Sequence, residues 1–263
     1  MQTSPAEFDD RIMATLAGAG SLLAELRMIM DHHPEQATHQ EICDWIVGQN
    51  ILVKRTQAGR TKALSKLKRR YILDSDRHIF AGFCAAWRQS AESQQQGLLA
   101  YLLHGSQDGF LRLAATTWLG PYLSIEGQVL ETADVERHIA RMAEEDAQIA
   151  AWSAKTKLRV AQHLLTAIRD FGLARGRVKK VSVRPTIGPV VAWYAARLAM
   201  LQGLSPRDAL TSDWFAMLGL ELSGAVDALY RMAGKDLGRF RVEGQIVELV
   251  LNDLTDRDIS DGP

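Results

Sequence analysis

The sequence predicts an all-α protein with a small β-hairpin, built from helix-turn-helix and winged-helix-like subdomains. Three observations predict it. Apolar residues recur at helical spacing along most of the 263 residues. Serines and threonines precede many of these stretches, and glycines close several. Strand patterns are confined to two short places.

Helical spacing runs over about 21–32, 38–48, 57–72, 77–90, 92–104, 108–119, 132–146, 154–171, 188–202, 212–218 and 222–233. Ser21, Thr38, Thr56, Ser153 and Ser223 stand at cap positions, each able to accept from a first-turn N–H. Gly48, Gly105, Gly172 and Gly203 stand where helices should stop, because glycine adopts the left-handed conformation at little cost. Val178–Val183 reads as an extended arm. Arg239–Leu251 reads as a hairpin turning near Gly244.

Two units have helix-turn-helix order. In the first, an apolar-faced helix (Ile42, Trp45, Ile46) leads through Asn50-Ile51-Leu52 to the helix over 57–72. There Leu64, Leu67 and Tyr71 share one face, and Lys62, Lys66, Arg69 and Arg70 share another. That helix holds no acid. Like charges at i,i+4 destabilise a helix, so four cations on one arc point to an anion, and phosphate is the fitting one. In the second unit, helices over 212–218 and 223–233 precede the hairpin, the order of a winged helix. Arg239 and Arg241 alternate with Phe240 and Val242, which puts both arginines on one strand face. Asp227 keeps the preceding helix from being strongly cationic.

Net charge is zero, with 31 basic and 31 acidic residues, yet the charge is segregated. Residues 51–88 carry ten basic residues, including Lys54, Arg55 and Arg60, against Asp74 and Asp76. Residues 151–184 carry nine against Asp170 alone: Lys155, Lys157, Arg159 and Arg169 on a helix, then Arg175, Arg177, Lys179, Lys180 and Arg184 on and beside the arm. In the arm, Val181 and Val183 are expected to pack while Lys180, Ser182 and Arg184 face outward. Residues 124–150 hold seven acids against Arg137 and Arg141. Basic patches of this kind recruit polyanions even on a neutral chain. The organisation expected is a flexible extension over 1–17, a basic helical domain over 18–150, a second helical domain with the hairpin over 151–252, and an acidic tail over 253–263.

Other chemistry lacks its motifs. Gly18-Ala19-Gly20 opens a dinucleotide-like string but lacks the third glycine and a preceding strand. There is no HExxH, GxSxG or cysteine cluster. Asp31-His32-His33 with His39 reads as a helix end favoured by the dipole, not as a metal site. Glu144-Glu145-Asp146 reads as a solvated helix end. No cofactor, metal or enzymatic activity is expected. No run approaches the ~20 apolar residues that span a bilayer, and two lone cysteines fit a reducing cytoplasm.

The string Asn50-ILVKRTQAGRTKALSKLKRR-Tyr71 resembles the signature of the BrxA family, components of bacteriophage-exclusion (BREX) systems, in which an N-x-L-x-K-R-[ST] entry leads a helix rich in Arg and Lys. Trp152-SAKTKLRVAQHLLTAIRDFGLARG-Arg177 resembles that family's W-S…L-L-x-x-L-R-D-F-G-L block, and Leu204-SPRDALTSDWFAMLGL its L-S…W segment. The resemblance covers roughly residues 18–252. It implies a mainly helical protein that binds double-stranded DNA beside other BREX components in phage defence. A likeness of part of the family fold to the NusB antitermination proteins leaves RNA open as a ligand behind duplex DNA. An adaptor holding another BREX protein and a regulator of its own operon are the alternatives.

Overall fold

Helix boundaries follow the caps. Thr38 accepts from Glu41 N–H while Glu41 reaches back to the Thr38 N–H, a reciprocal box that starts a helix at His39. Thr56 and Ser153 cap two basic helices by accepting from the Gly59 and Thr156 N–H, without a return bond. Ser223 does not cap: it lies inside a helix that starts at Leu222. Gly172 and Gly203 take positive φ at helix ends as expected. Gly48 ends its helix with φ −73°, and Gly105 sits within a helix that runs on to Ser106.

The computed structural model describes residues 7–254. In chain order the elements are α1 (Leu23–Met30), α2 (His39–Val47), α3 (Gln57–Tyr71), α4 (His78–Arg88), α5 (Ser93–Ser106), α6 (Gly109–Ala114) and α7 (Gly120–Ser124). Then come β1 (Val129–Leu130), α8 (Thr132–Glu145), α9 (Ala147–Ala150), α10 (Ala154–Asp170), β2 (Ala174–Arg175) and β3 (Lys180–Ser182). The chain continues with α11 (Pro189–Leu201), α12 (Pro206–Ala209), α13 (Asp213–Met217), α14 (Leu222–Ala233), β4 (Gly238–Glu243) and β5 (Ile246–Leu251). A π-helical turn over Ala115–Leu119 joins α6 to α7 without a break. The protein is mainly helical with small antiparallel sheets. The hairpin expected over 239–251 is β4–β5, paired from Gly238↔Leu251 to Glu243↔Ile246. A second sheet, order β1-β3-β2, was not legible, because its strands are two or three residues long.

The centre of the core is α4, α5 and α11, which pack on one another. Gly97–Ser106 of α5 and most of α11 are buried all round, with Trp193, Tyr194, Phe80, Phe83 and Tyr101 among the largest enclosed side chains. A helix apolar on every side belongs in an interior. Because α11 follows residue 150 and α4 and α5 precede it, one hydrophobic core runs across the boundary expected there.

Part of the stretch expected to be a loose extension is packed. Asp9 N–H donates to Ser106 O at 2.9 Å, Phe8 lies 5.6 Å from the Trp214 ring, and Leu16 is fully enclosed. Residues 1–6 and all but Asp253 and Leu254 of the acidic tail lie outside the described residues.

Candidate nucleic-acid interface

The α2–α3 connection, residues 48–56, is longer than the roughly three- to four-residue turn of an ordinary helix-turn-helix. Asn50 shapes it from a positive φ, accepting from Lys54 N–H at 2.8 Å and donating to Lys54 O at 3.1 Å. Beyond it, α3 buries Leu67 and Tyr71, as its apolar stripe predicts, and exposes Lys62, Lys68 and Arg69.

Arg70 corrects the expectation. It is 2 % exposed and donates to the carbonyls of Thr15, Ala19 and Gly20. These oxygens lie in and just after the 3-10 turn Thr15–Gly18, where a helical end leaves carbonyls without partners. The guanidinium supplies a fork of donors to them at once. Arg70 is therefore a structural clamp and faces no solvent. Burial lowers its pKa, and Asp108 partly offsets that. Lys66 is half-buried, with Nζ donating to Gly18 O at 2.8 Å. Its pKa is lowered by burial first, then by Lys62 and Arg70.

Two further expected contacts serve the fold. Lys54 Nζ pairs with Glu25 at 3.0 Å, and Arg60 donates to Val47 O at 2.9 Å. Arg55 is exposed.

The clamped segment, residues 15–21, also lies on α10. His163 Nδ1 is 2.5 Å from Leu16 O, Gly20 packs against Thr166, and Ser21 Oγ donates to Asp170 at 2.8 Å. Tyr71 at the end of α3 donates to Ser21 O at 2.5 Å. So an uncharged strap (Ile12–Ala24) runs between two basic helices more than eighty residues apart in the chain, and both lie along it. This juxtaposition was missed in the sequence; the only signal was the absence of charge in that run. Lys155 and Arg159, exposed on α10, thereby join the cations of α3 on neighbouring elements.

The arm expected over 178–183 is one strand of a ribbon. β2 and β3 pair as Ala174↔Ser182 and Arg175↔Val181, and β1 pairs on the other side of β3. Ser182 corrects the expected facing. It is fully buried, its Oγ accepting from Gln128 N–H and donating to Ile125 O, both at 3.0 Å. A short polar side chain satisfies loop backbone that Val181, half-exposed here, cannot. Arg175, Arg177 and Lys179 are exposed at the ribbon's tip, with Lys180 half-buried behind them. No carboxylate of the described residues lies within ion-pair distance of these four.

On β4, Arg239 is exposed, but Arg241 pairs with Glu243 and stands opposite Glu248. Its charge is largely matched in place.

Elsewhere, a cleft of about 550 Å³ opens between the π turn and α8, lined by Trp118, Tyr122, His138 and Met142 together with Arg141, Glu145 and Asp146. Thr117 Oγ donates to Leu113 O at 2.7 Å, so in its 3.0 Å contact with His138 Nε2 the ring nitrogen is the donor. Burial, then Arg141, lowers the His138 pKa. Of the clump near residue 32, His39 is bonded to Leu73 O at 2.5 Å. Among the described residues no group of three or more His, Cys, Asp or Glu is placed to hold a metal, and no helix is long and apolar enough to cross a membrane.

The BrxA family model matches residues 13–198. The match begins at the strap, takes in both basic helices and the β2–β3 ribbon, and stops within α11, before the Leu204–Leu220 block and the β4–β5 hairpin. No curated protein matches the chain. The chain belongs to the BrxA family, and thus to the components of BREX phage-defence systems.

Proposed function

We propose that this BrxA-family protein acts in BREX defence by binding double-stranded DNA without catalysing a reaction on it. The observation that carries the reading is the set of unpaired, exposed cations on α3, α10 and the β2–β3 ribbon, all within the family-matched span. Phosphate neutralisation by Lys62, Arg69, Lys155, Arg159, Arg175, Arg177 and Lys179 supplies affinity independent of sequence. Lys66 stands beside them and reaches a phosphate if it leaves Gly18 O. The helix-turn-helix role of α2–α3 and the wing role of β4–β5 belong to the same proposal. The first has the stronger support, since β4–β5 holds a matched arginine.

The test is a titration of labelled random and operon-upstream duplexes at two salt concentrations. Log K should fall linearly with log salt, and about six to ten contacts lose roughly 10³–10⁵ in affinity between 50 and 200 mM. Binding that is unchanged over that range would sink the reading. Tight preference for one palindromic site would favour a regulator instead. A second reading, an adaptor for another BREX protein, is favoured by one observation: the aromatic cleft on α8. Absence of DNA binding at low salt, with capture of a purified BREX component, would favour it.

A further inference from the structure

The tip of the β2–β3 ribbon carries an apolar side chain that nothing in the fold uses. Val178 is 95 % exposed, the most exposed large apolar residue described. We propose that Val178 is a wedge that enters the minor groove of duplex DNA and opens a base step, an inference that rests on the DNA-binding reading above.

Three features of the ribbon fit that role. First, the tip is narrow and set. Gly176 has φ +95°, and a Cβ there would run into Lys179 O, so the turn excludes any side chain at that point. Second, the base is braced: β3 is paired on both sides, Val183 N–H donates to Leu173 O at 3.0 Å, and Ser182 ties the ribbon to residues 125–128. The tip is therefore displayed on a rigid support, and valine itself loses little rotamer freedom on insertion. Third, Val178 is flanked by Arg177 and Lys179, with Arg175 and Lys180 next along the strands. A minor groove is about 6 Å wide with a phosphate backbone on each side, so cations on either side of one small apolar side chain match its section. Architectural proteins insert apolar side chains between base steps and kink the duplex in this way. A single valine offers little to a lipid surface, which rewards a broad apolar face.

The experiment uses the whole chain and duplexes with 2-aminopurine at a TA or CA step, the steps that unstack most easily, with end-labelled duplexes to read bending. Wild type should raise the 2-aminopurine signal and shorten the end-to-end distance. Val178→Ser should abolish both, weaken binding by no more than about tenfold, and leave the salt slope unchanged, since no charge is lost. Val178→Met should keep both signals, and melting should be unaltered in both variants. If wild type binds duplex without bending or unstacking it, or if Val178→Ser bends it equally, the wedge is wrong while the DNA reading stands. If wild type does not bind duplex at all, both fail. If Val178→Ser loses binding to anionic phosphatidylserine vesicles and keeps the DNA signals, the tip serves a membrane and the wedge is again wrong.

Discussion

The two β-hairpins carry similar residues and differ in what those residues face. Each has two alternating arginines, a tight turn with a positive-φ glycine, and an exposed aliphatic residue near its tip: Val178 in one, Ile246, 73 % exposed, in the other. On β4–β5, Arg241 is held by Glu243 and stands opposite Glu248, so the tip carries both signs. On β2–β3 no carboxylate of the described residues lies within ion-pair distance of the cations. A count of basic residues treats the two hairpins alike. Their fields differ, and the field attracts a polyanion. The same distinction runs along α3, where Arg70 is consumed by backbone carbonyls and Lys62 is free.

The largest effect expected is on affinity. Replacing Arg175, Arg177, Lys179 and Lys180 together by Ala should lower the salt slope by roughly three to four units, measured by duplex titration across salt concentrations. Arg239→Ala with Arg241→Ala should lower it by about one at most. Equal losses from the two sets would erase the contrast.

Next comes stability along α3. Arg70→Ala leaves three half-buried carbonyls without their donor and should cost about 3 kcal/mol, since hydrogen bonds to charged groups are worth roughly 1.5–3 kcal/mol each. Lys62→Ala should stay within roughly 0.5 kcal/mol. Urea denaturation of both variants checks this.

The third test concerns the turns. Gly176→Ala meets both a left-handed φ and the Lys179 carbonyl, whereas Gly244, φ +58°, has open space around it. Gly176→Ala should cost more than the ~1–2 kcal/mol expected of conformation alone at Gly244→Ala, read by thermal melting.

The smallest effect runs the other way. Glu243→Gln with Glu248→Gln frees Arg241 and should raise duplex affinity by a few-fold at low salt, with the gain vanishing at high salt.

A pH dependence follows from the core. His104 is fully buried beside Tyr71 and Phe171, with neither ring nitrogen hydrogen-bonded; Asp108 is 3.6 Å away. Desolvation lowers its pKa below the ordinary 6.5, more than Asp108 raises it. The unfolded chain then binds the proton more readily than the folded one. Stability should be full above about pH 6.5 and decline as pH falls below it, and His104→Phe should flatten that decline in denaturation measured from pH 7.5 to 5.

Much of the helical fold was legible because it follows from local chemistry. Caps at Thr38, Thr56 and Ser153 and the apolar stripe of α3 need only their neighbours. Glycine stops were half legible: Gly105 continues its helix because it packs against Met217, more than a hundred residues away. The candidate site divided along the same line. That Lys62 and Arg69 are exposed can be read from α3 alone. That Arg70 is clamped depends on Thr15, Ala19 and Gly20, and that Lys54 is paired depends on Glu25; no spacing rule reaches that far. Ser182 turned inward for a similar reason, since its partners lie in residues 125–128.

The strap also sets an order of events during synthesis. Phe8 leaves the ribosome well before α10 and Trp214, against which residues 8–21 pack. At roughly 5–20 residues per second the wait for Trp214 is about 10–40 s. During that interval the carbonyls of Thr15, Ala19 and Gly20 can already be met by Arg70, while one whole side of the strap waits for its helix. The basic face is therefore completed late, and a nascent chain that ends before Ala154 lacks α10 and the β2–β3 ribbon and carries only the cations of α3 beside an uncovered edge.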